Sequence, residues 1–95
     1  MLTFHIHLNT IDDFRQYAAM EAMFQMRGYV ITRGKWIDIY DLLGLMMRGP
    51  LHKAKLVLTQ YQESDKERIT EFLETAGLLD VNYEPEESFN RLLGV

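Results

Sequence analysis

Apolar residues along this chain change their spacing several times, and each change marks an element. Residues 2–8 alternate, with Leu2, Phe4, Ile6 and Leu8 on one side and Thr3, His5 and His7 on the other, which predicts a strand buried on one face. Over residues 11–23 the spacing becomes helical. Ile11, Phe14, Ala18 and Ala22 form the expected inward stripe, Tyr17 lies beside it, and Glu21 falls close enough to interrupt it. Asn9 or Thr10 can cap this helix, and Asp12 and Asp13 favour its positive end.

Alternation returns in residues 28–32 and 35–40, which are rich in β-branched and aromatic side chains and separated only by Arg33 and Gly34. A two-residue connection with glycine predicts a hairpin with a primed turn. The register follows: Thr32 faces Lys35, Ile31 faces Trp36, Val30 faces Ile37 and Tyr29 faces Asp38. Val30, Ile37 and Ile39 then share the core side, and Tyr29, Ile31, Trp36, Asp38 and Tyr40 share the other. Asp41 can cap a short helix carrying Leu42, Leu43, Leu45, Met46 and Met47, which Gly49 and Pro50 stop.

Residues 51–61 predict the last strand, with Leu56 and Leu58 inward and Lys53, Lys55, Val57, Thr59 and Tyr61 outward. Ser64 and Glu67 have the spacing of a capping box. The helix they open shows Ile69, Phe72, Leu73 and Ala76 on one face and ends at Gly77. Residues 1–79 therefore read as one domain. Residues 80–95 read as an extension in which Pro85, Glu86 and Glu87 open a short helix, with Phe89, Leu92 and Leu93 docking on the domain or on another copy.

Composition narrows the function classes. Ninety-five residues build one core, and the absence of cysteine removes disulfides and thiolate zinc sites. No apolar run approaches the roughly 20 residues that span a bilayer, and no signal peptide is visible, so a cytoplasmic protein without membrane contact is expected. A net charge of −4 opposes nonspecific nucleic-acid binding. His5 and His7 share a strand face, but no third ligand accompanies them, so neither a metal nor a cofactor is expected.

One apolar face per strand, in the order strand, helix, two strands, short helix, strand, helix, predicts an α+β protein. It is an open-faced two-layer sandwich of β-α-β-β-α-β-α order, with three helices on one face of a four-stranded antiparallel sheet. The pattern resembles the HPr phosphocarrier family of the bacterial sugar phosphotransferase system. The resemblance is carried by Arg33-Gly34-Lys35 at the hairpin, by residues 39–45 (IYDLLGL) and by residues 61–67 (YQESDKE), with spacings that agree from about residue 2 to residue 79. It implies the sheet order 1-4-2-3.

Three departures bear on activity. The family motif Gly-Leu-His-x-Arg-Pro-Ala supplies a phosphoacceptor histidine and a phosphate-holding arginine; by spacing these fall on Thr10 and Asp12, and the proline falls on Asp13. A regulatory serine at the start of the family's short helix corresponds to Asp41, which also suits a plain helix cap. The resemblance further implies that Leu42, Leu43 and Met46 dock on partner proteins. We therefore expect no enzyme and no phosphocarrier, but a regulatory or protein-binding module whose partners are phosphotransferase-system or transcriptional-regulator components. Two alternatives stand beside it: phosphate carried on His7 or His52, and a homodimer formed through Tyr29, Ile31, Trp36 and Tyr40 on the uncovered sheet face.

Overall fold

The computed structural model describes residues 1–80. They form β1 (Leu2–Leu8), α1 (Ile11–Met23), β2 (Met26–Thr32), β3 (Lys35–Asp38), α2 (Leu42–Met47), β4 (Leu51–Tyr61) and α3 (Lys66–Thr75), the last entered through a 3-10 turn at Glu63–Asp65. The sheet is antiparallel in the order β1-β4-β2-β3, and with the three helices it makes the α+β sandwich that the sequence pattern anticipates. Strand β4 lies between β1 and β2, which explains why Leu56, Val57 and Leu58 are buried in succession. A central strand is covered on both edges as well as from the helix side.

The β2–β3 register is the one the hairpin dictates, from Thr32 opposite Lys35 to Tyr29 opposite Asp38. Arg33 at φ 50 and Gly34 at φ 76 give the two successive left-handed residues of a type I′ turn. Strand β3 ends at Asp38, short of the expected Tyr40, yet Ile37 and Ile39 still enter the core. Ile39 keeps a backbone bond to β2, its N–H donating to Gly28 O at 3.2 Å, while its carbonyl accepts from the Tyr17 hydroxyl at 2.6 Å.

Helix α1 buries Phe14 and Tyr17 as expected, and adds Met20, with Phe24 at its C-cap, in place of Ile11, Ala18 and Ala22. Ile11 is 71% exposed, Ala22 is exposed and Ala18 half-buried. The larger side chains win because each removes far more apolar area from water than an alanine does. Phe24 in turn meets Phe72 of α3 edge to face at 6.4 Å, with the Arg68 guanidinium 5.4 Å from its ring centre.

Two further expectations need correction. Between Arg27 opposite Gln60 and Gly28 opposite Leu58, Thr59 is an extra residue, so the pleat shifts and Tyr61, opposite Met26, turns to the core instead of outward. Gly28 permits the bulge, since a Cβ there would overlap the Val57 carbonyl. Ser64 caps nothing in α3; it lies in the 3-10 turn, and the N-cap position falls to Asp65, whose αR backbone makes no side-chain cap and whose carboxylate accepts from Arg68 at 3.1 Å. Beyond Gly77, at φ 73, the chain returns to the outer edge of β1. His7 N–H donates to Leu78 O, and Asp80 N–H donates to His5 O, flanking an Ile6–Leu79 bridge. Asp80 is thus tied to the domain, while the helix expected after it lies outside the described residues.

Candidate functional site

The start of α1 is the position that the family motif would make reactive. Thr10, extended at φ −122 and ψ 165, accepts the Asp13 N–H on its hydroxyl oxygen at 3.1 Å. Asp13 answers by accepting the N–H of Asn9 at 2.9 Å and of Thr10 at 3.3 Å on one carboxylate oxygen. This reciprocal box takes up the N–H groups of Asn9, Thr10 and Asp13, three of the donors that could otherwise hold an anion. Asp12 adds a second, exposed carboxylate on the first turn. A phosphate dianion brought here would meet repulsion of roughly 1 to 4 kcal/mol per unit charge pair at 4 Å.

The histidines stand elsewhere. His5 and His7 are half-buried on the side of β1 away from the core residues Phe4, Ile6 and Leu8. Between the pairs Ile6–Ala54 and Leu8–Leu51 the register slips by one, so His52 and Lys53 both lie opposite His7. His7 and His52 are neighbours, therefore, but among the described residues no three His, Asp or Glu converge as a metal cluster would.

Helix α2 is fixed by Asp41, whose carboxylate accepts the Gly44 N–H at 3.0 Å. That bond makes Asp41 a cap, and a Cβ on Gly44 would collide with it. Six residues give the helix one inward side chain, Leu45, with Leu42 half-buried against the core. Of the anticipated docking residues, Leu43 at 69% exposure and Met46 stand free, whereas Leu42 packs inward. Met47, at 77% exposure, belongs to the same surface and was legible only as part of the Leu-Met run.

No protein-family model, curated protein or solved structure matches this chain.

On the uncovered sheet face, registered pairs line up across all four strands. His5, Lys55, Ile31 and Trp36 form one row; Thr3, Val57, Tyr29 and Asp38 form the next. Tyr29 and Trp36 meet edge to face at 5.5 Å, and Trp36 is 64% exposed. Val57 shares this face as expected but is buried beneath its row neighbours. Tyr40, which follows β3, is anchored apart from them: its hydroxyl donates to Met26 O at 2.6 Å and its backbone N–H to the Asp38 carboxylate at 2.8 Å.

The Glu21 carboxyl is pushed out of its ordinary range. Burial, then the charge of Asp38, raises it from 4.5 to about 7, and its Oε1 is buried without a partner. Burial also pushes the Tyr17 hydroxyl up, so it remains a donor at every physiological pH.

Proposed function

We propose that this chain is a non-catalytic protein-binding module, an HPr-like regulator working in the cytoplasm with components of a sugar phosphotransferase system or with a transcriptional regulator. Its likeness to that family is one of element order and spacing. The observation that carries the binding role is α2, where Leu43, Met46 and Met47 stand exposed on a six-residue helix. Clustered apolar side chains of this size mark contact surfaces more often than bare solvent boundaries. The start of α1 favours the same reading, because the Asp13 carboxylate takes the N–H groups of Asn9 and Thr10 at the turn that the likeness aligns with a carrier's phosphoacceptor.

Two experiments test it. Proteins retained on the immobilised chain should be lost when Leu43→Asp takes its place; the same set on both surfaces would refute docking through α2. Incubation with phosphoenolpyruvate and the general phosphotransferase of such a system should leave the chain unlabelled. Acid-labile phosphate on His7 or His52 would instead establish a carrier.

A further inference from the structure

Tyr29, Ile31 and Trp36 lie together on the uncovered sheet face, and Trp36 is 64% exposed. Beside Ile31 and Trp36 runs a shallow cleft of about 500 Å³, which Arg33 and Lys53 also line. Both of these cations are exposed, whereas His5 and Lys55 in the same cleft are already engaged. Asp80 reaches the cleft from the far side of β1. Because Leu79 bridges Ile6 and packs on the core, Asp80 falls beside His5 on the uncovered side, extending the row of His5, Lys55, Ile31 and Trp36 outward past β1. The last described residue thus stands at the border of this face.

We propose that residues 81–95 of the same chain dock on the uncovered face and shield Trp36. Their chemistry complements it. Phe89, Leu92 and Leu93 supply apolar side chains for Tyr29, Ile31 and Trp36, while Glu84, Glu86 and Glu87 outnumber the cation Arg91 and suit Arg33 and Lys53. The reach is ample: β1 to β3 is three strand spacings, about 14 Å, and the nine steps from Asp80 to Phe89 cover about 30 Å when extended. Tethering favours this occupant over a free one. A segment fixed at the border of the face is present at an effective concentration in the millimolar range, whereas a second copy or another protein must supply the same contacts from dilute solution. The aromatic face is then closed to other proteins until residues 81–95 are displaced. The site is separate from α2, so loss of docking at Leu43 leaves it standing.

The chain has no cysteine, so Asn90→Cys carries a single nitroxide label in the otherwise unaltered full chain. The amides of Tyr29, Ile31 and Trp36 should be broadened strongly, and those of Tyr17 and Leu73, behind the sheet, far less. Adding Phe89→Asp and Leu92→Asp should lower the docked population at least about tenfold and restore the broadened signals, because each buried apolar side chain contributes about that factor or more. Arg33→Glu with Lys53→Glu, which leaves the segment itself intact, should weaken the broadening by a smaller factor, since exposed charge pairs contribute less. In a mixture of nitroxide-bearing chain and isotope-labelled chain without the nitroxide, the isotope-labelled signals should stay sharp. Absent or evenly spread broadening, broadening confined to the helix side, indifference to the two aspartates, or broadening passed between chains in the mixture would each overturn the proposal.

Discussion

Glu21 shows how one side chain can set a pH dependence for the whole fold. Its carboxyl is held near 7 by burial and by Asp38, above its ordinary 4.5, so the folded chain keeps the proton more tightly than the unfolded chain does. The stabilisation this gives is complete below pH 4.5 and is lost as pH rises through 7. Glu21→Gln, uncharged throughout, should exceed the wild type in denaturation stability at pH 8 and match it near pH 4. The gap at pH 8 should be about 1 kcal/mol once partial exposure is allowed for. Asp38→Asn should lower the Glu21 pKa and narrow the gap. The sequence flagged Glu21 as an interruption of the apolar stripe, because a carboxylate at a near-core position needs a reason. It could not supply Asp38 as the second cause, since that contact depends on where β3 ends.

Gly28 makes the opposite case. The sequence put it at the start of a strand that in fact begins at Met26, and the bulge it serves was not visible, because alternation is read one strand at a time and a bulge is a property of a pair. Gly28→Ala would drive a Cβ into the Val57 carbonyl, backbone that cannot step aside. Guanidinium unfolding should show a loss of about 2 to 4 kcal/mol, with Tyr61 losing its core contact; a change below about 0.5 kcal/mol would mean that the sheet absorbs the methyl.

At the scale of the element, the hairpin and α2 were legible for different reasons. A two-residue connection leaves one register, so all four β2–β3 pairs followed from Arg33 and Gly34. Arg33 nonetheless pays for its φ of 50, a region that asparagine enters more readily. Arg33→Asn should raise stability by about 0.5 kcal/mol in chemical denaturation, while the register stays unchanged. The inward face of α1 was read only in part, with Phe14 and Tyr17 right and Met20 missed, because alanines fit a helical period as well as large residues do and spacing alone does not weigh buried area. In α2, cap and stop residues were plain, but which leucine turns inward was not, since six residues hold less than two turns. The consequence is a sharp asymmetry. Leu45→Ala should cost about 2 to 5 kcal/mol and Leu43→Ala within about 0.5, although the two residues are separated only by Gly44.

Across the whole molecule, topology distributes stability unevenly. Strand β4 pairs with β1 on one side and β2 on the other, and its Leu56 and Leu58 lie in the middle of the core. Every backbone bond between the two halves of the sheet passes through it, so its amides should open only when the domain unfolds. By contrast, α2 has one buried side chain and an exposed face, and beyond the buried Leu78 the segment Leu79–Asp80 meets β1 through the two backbone bonds that make the Ile6–Leu79 bridge. These segments can detach without disturbing β4. Native-state hydrogen exchange should therefore give Leu56, Val57 and Leu58 protection equal to the global unfolding free energy. The amides of Leu45 to Met47 and Asp80 should exchange orders of magnitude faster, with little dependence on denaturant. Equal protection in α2 and β4 would contradict this, and would mean that the exposed apolar side chains of α2 are already covered in solution. A partner that docks on α2 should raise the protection of that helix alone, which distinguishes local closure from a general gain in stability through linkage.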